Sequence, residues 1–197
     1  MVLPDLVDSS GKTRHLAVGA GKDSHIYVVD RDAMGKFDAS SNQNYQDITG
    51  ALGGAVFSMP AYFNNTVYYG ASGSTLRAFS VTNARLSTSA VSASPTSFGS
   101  PGTTPGISAS GSANGIVWAV ENKNPAVLHA YDATNLSHEL YNSNQAANGR
   151  DAFGAGNKFI TPTIANGRVY VGTTTGVGVF GMLGAPSAPT GLKIILQ

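Results

Sequence analysis

An internal repeat constrains the fold of this chain more than any other feature of its sequence. Four short, very apolar segments recur at intervals of about 50 residues. Each is preceded by a segment that begins with proline and is followed, after a few Gly, Ser, Asn or Thr residues, by a second apolar run. The four core segments are LAVG at 16–19, VYYG at 67–70, VWAV at 117–120 and VYVG at 169–172.

The segments around these cores have the composition of β-strands joined by tight turns. Asn and Gly, which accept positive φ in a hairpin, lie between the first and second strand of three repeats, at 64–66, 113–115 and 165–167. The cores themselves are too apolar to have one wet face, which favours strands covered on both sides. Antiparallel sheets of three or four strands at this period are typical of propeller blades, so we predict an all-β propeller. Proline-led strands are predicted at 4–8, 60–64, 105–109 and 162–166, third strands at 26–30, 76–80, 128–132 and 177–181, and weaker outer strands at 44–48, 86–91 and 138–142.

Two repeats, FSMPAYFNNTVYYGASGSTLRAFSV and ITPTIANGRVYVGTTTGVGVFGML, resemble the PQQ-like (pyrroloquinoline-quinone-like) propeller repeat, with its Pro-led strand, Asn-Gly turn and Val-Tyr-Val-Gly strand. The resemblance covers about residues 3–183, so propeller repeats are assigned to 1–183. It implies about four blades, the C-terminal portion of a larger bacterial propeller, in a family that is often extracytoplasmic. The blades are expected at about 3–50, 55–95, 103–145 and 158–183.

The last residues, 184–197, predict a Pro-rich linker and one terminal strand. That strand either begins an adjoining fibronectin-like module or folds back to complete a blade. An open arrangement of four blades exposes two sheet edges and an apolar flank, which natural proteins cover. We therefore expect either closure as four or five blades using terminal strands or a homodimer that buries the flank.

Composition excludes several classes of function. Twelve basic and eleven acidic residues give a net charge of +1 without a basic cluster, so nucleic acid is not an expected partner. No apolar segment approaches the roughly 18 residues that span a bilayer, and the N-terminus lacks the pattern of a secretion signal. We expect a soluble protein that does not enter the membrane, in a compartment that the sequence leaves open.

The resemblance also raises the question of the PQQ cofactor. Quinoproteins of this family stack the cofactor ring against tryptophan and commonly use a vicinal disulfide, with a calcium ion held by carboxylates. This chain has one tryptophan, Trp118 in a core strand, and no cysteine. We therefore expect the fold without PQQ, and not a PQQ dehydrogenase.

Carboxylates cluster after the third strand of the first repeat, in the stretch DRDAMGKFD. Asp30, Asp32 and Asp38 offer hard oxygen ligands in a Gly-containing loop, which suits calcium. Asp132 lies at the matching position of the third repeat. Asp30, Asp32 and Asp132 are the candidate calcium ligands; the alternative is that Asp30 and Asp132 accept local backbone N–H bonds and cap a turn.

Two histidines, His25 and His129, flank equivalent third strands and are the candidate general bases. No pair of histidines in the chain has the spacing of a zinc motif. The alternative for both is an edge or surface position. A charged loop, with Arg150, Asp151 and Lys158 in the stretch GRDAFGAGNKF, enters the last repeat and is the kind of loop that lines a propeller mouth. Its alternative is a loop held by salt bridges.

Two functions follow from these patterns. The first is a non-catalytic PQQ-like propeller module for binding or scaffolding, with a small molecule, glycan or protein held by loops at the blade ends. The alternative is a calcium-dependent propeller hydrolase, such as a lactonase acting on acyl-homoserine lactones, in which Asp30, Asp32 or Asp132 holds the metal and His25 or His129 is the base. The sequence leaves open whether the chain is an enzyme.

Overall fold

The structure, a computed structural model, describes residues 1–182. The predicted linker and terminal strand at 184–197 lie outside the described residues. Within residues 1–182 the chain is all-β, with seventeen strands in five antiparallel sheets and one 3-10 turn at Ala147–Gly149. In this part of the chain no helix has the length and apolar character needed to cross a membrane.

A short N-terminal hairpin precedes four larger sheets, which follow one another along the chain and are called sheets 1 to 4. The hairpin contains β1 (Leu6–Val7) and β2 (Thr13–Arg14). Sheet 1 contains β3 (Leu16–Ala20), β4 (Ile26–Asp30) and β5 (Gln46–Ile48). Sheet 2 contains β6 (Ala61–Phe63), β7 (Thr66–Gly70), β8 (Ser74–Thr82), β9 (Arg85–Leu86) and β10 (Ser92–Phe98). Sheet 3 contains β11 (Gly106–Ser110), β12 (Ala113–Glu121), β13 (Val127–Asp132) and β14 (Asn135–Asn142). Sheet 4 contains β15 (Thr163–Ala165), β16 (Arg168–Gly172) and β17 (Val177–Gly181).

The predicted core segments and third strands are confirmed in all four repeats. The cores lie in β3, β7, β12 and β16, and each pairs antiparallel with the strand that follows it. In repeats 2 to 4 the second core residue faces the third residue of the predicted strand that follows, whereas in the first repeat the third core residue does, so the first core is shifted by one residue. The central pairs are Val18 with Val28, Tyr68 with Ala78, Trp118 with Ala130, and Tyr170 with Val179.

The predicted outer strand of the second repeat is wrong. Within 86–91 only Leu86 belongs to a strand, opposite Val81 at the far end of β8. The outer strand is β10, which begins at Ser92 opposite Ala78 and extends past the expected boundary at residue 95. Its register shifts between Ala93 and Ser97, so an irregularity interrupts the period of two that would have shown this strand in the sequence.

Two predicted connections also differ. Asn114 has the expected positive φ of 54° but lies inside β12, because the chain reverses earlier, at Gly111 with φ of 60°. In the first repeat, β3 pairs on the side away from β4 with residues 1–3, and not with the predicted proline-led strand at 4–8. The Val18 N–H donates to the Met1 carbonyl at 2.8 Å, while the Leu3 N–H donates to the Leu16 carbonyl at 3.0 Å.

Each of sheets 1 to 3 packs one face against the next sheet in the chain. We call the face turned toward the following sheet the forward face and the opposite face the backward face. Side chains alternate along a strand, so neighbouring residues of one core belong to different sides. Val67 and Tyr69 pack back against sheet 1, whereas Tyr68 between them packs forward against sheet 3.

Three apolar clusters fill the spaces between consecutive sheets in the described part of the chain. The first joins sheets 1 and 2, the second sheets 2 and 3, and the third sheets 3 and 4. The second is centred on Tyr68, Leu76, Phe98 and Tyr131, all of which are nearly inaccessible to solvent. Sheet-on-sheet packing of this kind removes apolar area from water on both sides of sheets 2 and 3.

Leu76→Ala tests this packing. Leu76 is fully buried between sheets 2 and 3, so we expect the free energy of unfolding to fall by about 2–5 kcal/mol. Leu140→Ala is the matched control, since Leu140 is 44% exposed, and its change is expected within about 0.5 kcal/mol. Urea unfolding of the three proteins measures both. Equal losses for the two variants would contradict the assigned core.

Candidate functional site

The candidate calcium ligands of the first repeat contact both their own turn and the residues that precede β3. Asp30 Oδ1 accepts the Asp32 backbone N–H at 3.0 Å, and Asp30 Oδ2 accepts an Arg14 N–H at 3.2 Å. The bond from the Asp32 N–H, together with Arg14, lowers the pKa of Asp30. Asp32 itself lies 2.7 Å from Nδ1 of His15. The turn-capping role predicted for Asp30 is confirmed.

Asp132 has the same role in the third repeat. Its Oδ1 accepts the Thr134 hydroxyl at 2.7 Å and the Thr134 backbone N–H at 2.8 Å. These bonds lower the pKa of the Asp132 carboxyl. Asp30 and Asp132 therefore end equivalent strands of sheets 1 and 3, each occupied by local donors. Among residues 1–182 no group of three or more His, Asp or Glu side chains is arranged to hold a metal ion, and the calcium site stays a prediction.

The two candidate bases lie in different sheets with different partners. Nδ1 of His25 is 3.0 Å from Asp47 Oδ1, and its partly exposed ring packs near Tyr27. His129 is only 4% exposed and lies on the backward face of sheet 3. Its ring stacks on Tyr131 with a centroid separation of 5.8 Å and meets the edge of Phe98 at 5.6 Å.

His129 bridges two glutamates that sequence reasoning missed. Nδ1 is 2.6 Å from Glu139 Oε1, and Nε2 is 2.8 Å from Glu121 Oε1. Both ring nitrogens can donate to carboxylates only when the imidazole carries two protons. Asn142 and Lys123 satisfy the outer oxygens of Glu139 and Glu121, at 2.8 and 2.9 Å. The cluster therefore links β12, β13 and β14 of sheet 3. Its only signal in the sequence is that one glutamate lies in the strand before His129 and the other in the strand after it.

His129→Gln measures what this cluster contributes. We expect the free energy of unfolding to fall by about 2–3 kcal/mol, because two largely buried carboxylates lose the ring that contacts both of them. His138→Gln is the matched control, since His138 is largely exposed and only 3.7 Å from Asp132, and no measurable loss is expected. Equal urea midpoints for the two variants would show that the bridge contributes nothing.

A groove of about 900 Å³ lies between sheets 3 and 4. Its walls are apolar and aromatic, and the loop that follows the 3-10 turn forms one rim. Trp118 comes from β12, Tyr141 from β14 and Phe180 from β17, while Asp151 and Phe153 come from the loop. Grooves with apolar walls and a few fixed polar groups are typical binding sites.

A small residue opposite the loop lets its aromatic side chain pack closely. Phe153 meets Phe180 edge-on with ring centroids 4.9 Å apart. A Cβ placed at Gly178 would come within 2.6 Å of the Phe153 ring, so Gly178 is the residue that admits this ring against β17. On the opposite wall, Trp118 Nε1 donates to the Ser108 hydroxyl at 2.9 Å, which fixes the indole.

The polar rim of the groove is a hydrogen-bonded triad. Arg150 donates twice to Asp151, at 2.7 and 2.9 Å, and the Tyr141 hydroxyl donates to the same carboxylate at 2.6 Å. The Arg150 and Tyr141 donors lower the pKa of Asp151 to about 2, while burial and this carboxylate raise the pKa of Tyr141. The predicted salt-linked loop is confirmed for Arg150 and Asp151; Lys158 bonds only through its backbone N–H among the described contacts.

The groove lies beside the last described strand of sheet 4. Sheets 2 and 3 each place a fourth long strand, β10 and β14, outside their third strand. Sheet 4 has three strands within residues 1–182, and β17 is at its edge. Backbone N–H and C=O groups along such an edge are free to pair with a further strand.

The dependence of stability on acid pH tests whether the triad stabilises the fold. The lowered pKa of Asp151 means that its contribution is complete above the unfolded value near 4 and is lost as the pH falls toward about 2. We expect the difference in urea midpoint between the wild type and Asp151→Asn to be constant from pH 8 to about 4 and to disappear below that. A difference that is unchanged at the acid end would contradict the triad.

These features define an all-β protein of consecutive, face-packed antiparallel sheets with one groove near its last sheet. No protein-family model matches the chain, and the search of curated proteins gives no match. Among the solved structures that match are two computationally designed proteins. The computationally designed Ika8 protein matches with a TM-score of 0.54 and 18% identity, over 90% of this chain and 49% of that one. The computationally designed Ika4 protein matches with a TM-score of 0.53 and 16% identity, over 91% of this chain and 99% of that one.

The chain therefore spans about half the length of the Ika8 protein and nearly all of the Ika4 protein. At these identities the likeness shows the fold alone. The PQQ-like family and the propeller stay predictions.

Proposed function

We propose that the chain is a non-catalytic binding module of PQQ-like propeller blades, and that its groove holds an extended peptide segment of a partner protein as an added strand on β17. One observation carries the proposal. A groove of about 900 Å³ runs beside the edge strand of sheet 4, in the place where sheets 2 and 3 have their fourth strand. Strand addition at a sheet edge is a general mode of peptide recognition.

The walls of the groove determine which peptide fits. A strand added to β17 turns alternate side chains toward the space between sheets 3 and 4, where Trp118, Phe153 and Phe180 lie. Apolar residues at alternate positions therefore fit this side. The Arg150–Asp151 pair at the rim offers polar groups for one end of the segment; Arg150 keeps a side chain that is 57% exposed. Main-chain pairing supplies affinity and the alternate apolar positions supply selectivity.

The alternative of a calcium-dependent lactone hydrolase has no specific support in the geometry. Asp30 and Asp132 bond to local donors at the ends of strands in different sheets. His129 has both ring nitrogens against glutamates. We therefore do not propose this activity.

The single tryptophan reports on the groove directly. A synthetic peptide of alternating Thr and Val, titrated into the full chain, is expected to change Trp118 fluorescence saturably, with an affinity on the order of 10–100 µM. The same peptide with N-methylated backbone amides at alternate residues is the control, because it cannot pair with β17. Equal binding of both peptides, or of neither, would sink the proposal.

A matched pair of variants locates the peptide. Phe153→Ala removes a wall of the groove and is expected to weaken binding at least about tenfold. Phe159→Ala is the control, because Phe159 is 63% exposed and does not line this groove. Binding that appears only when the chain is ended at Met182 would assign the groove to the chain's own residues 183–197 and contradict a partner protein.

A further inference from the structure

One position of the repeat is buried in sheets 1 to 3 and exposed in sheet 4. Ile26 in β4, Leu76 in β8 and Leu128 in β13 lie at the same register position on the forward face, and each is fully buried. Val177 occupies the same register position in sheet 4 and is 63% exposed. The next forward-face position repeats the contrast: Val179 is 53% exposed, whereas its three equivalents in the central pairs are at most 2% exposed. Sheet 4 therefore has an apolar forward face with nothing described on it.

The backward face of sheet 1 is the matching open surface. Ala17 pairs with Val29 there, and its equivalents Val67 and Val117 are fully buried by a preceding sheet. Ala17 and Val29 themselves are only partly buried. Val2, which bridges to Ala17 at the inner edge, is 61% exposed. Exposed apolar surface on both end sheets is typical of an interaction surface.

The two end faces complement each other as the internal faces do. Inside the chain, the forward residue of each central pair shares a cluster with a backward residue from the third strand of the next sheet, as Tyr68 does with Tyr131. Tyr170 is the equivalent of Tyr68, and Val29 is the equivalent of Tyr131. The same packing would therefore place Tyr170 against Val29.

We propose that a second copy of this chain covers these faces, with the forward face of sheet 4 packed on the backward face of sheet 1 of the other copy. Two such contacts, related by a two-fold axis, close a dimer of eight sheets. The four sheets match about half of the Ika8 chain and nearly all of the Ika4 chain, so this fold occurs both as one half of a longer chain and as a whole chain. Val177 and Val179 of this face also line the groove beside β17, whereas Tyr170 and Val29 do not, so substitutions at Tyr170 and Val29 test the dimer without changing the lining of the peptide groove.

The mass of the protein in solution is the first test. Light scattering of the full chain at about 50 µM is expected to give twice the 20.2 kDa chain mass. Tyr170→Arg changes one end face and Val29→Asp changes the other. Each alone is expected to raise the dimer dissociation constant roughly 100-fold and give a monomer, because each dimer contains the altered contact twice.

Mixing the two variants is the decisive step. The mixed dimer has one unaltered contact and one in which Arg faces Asp, so the dimer mass is expected to return. Val91→Arg is the control at a 58% exposed position outside both faces and is expected to stay dimeric. Urea unfolding of each variant confirms that it is folded. A wild-type monomer, a species larger than a dimer, or variants that do not recover on mixing would each overturn the proposal.

Discussion

The packing of one flat sheet face on the next is the constraint on which the rest of this structure depends. Sheets 2 and 3 are buried on both sides, so adjacent residues of one strand must both be apolar while they point in opposite directions. Val67 and Tyr68 are such neighbours. Burial on both faces explains why the core segments look like uninterrupted apolar runs.

The same constraint decides what could be read from the sequence. The core and third strands were predictable because each position is covered by an adjacent sheet, and the carboxylate caps at Asp30 and Asp132 were predictable because turn chemistry is local. The outer strand β10 was not, because only Ser94 and Phe98 of its residues are buried and its register shifts between them. The turn at Asn114 was wrongly placed for a similar reason. Asn114 does have a positive φ, but this irregular position lies inside β12 and not in the turn.

The candidate site was accessible to sequence reasoning only in part. Arg150 and Asp151 are adjacent in the sequence, so their pairing could be expected, but the groove also needs Trp118 and Phe180 from strands far apart in the chain. Its existence depends on how many strands sheet 4 has relative to sheets 2 and 3, a comparison that local patterns do not contain. The His129 bridge likewise depends on the register of three strands, which brings Glu121 and Glu139 to opposite sides of one ring.

Both proposals concern sheet 4, the edge of β17 in one case and its forward face in the other. The end contact joins two unlike surfaces, so each copy that binds leaves another binding face free until the last contact closes. The angle between successive sheets then determines whether assembly stops or continues. A substitution that opened or tightened that angle, even deep inside the cluster around Tyr68, would convert a closed particle into an unlimited filament without altering either contact surface.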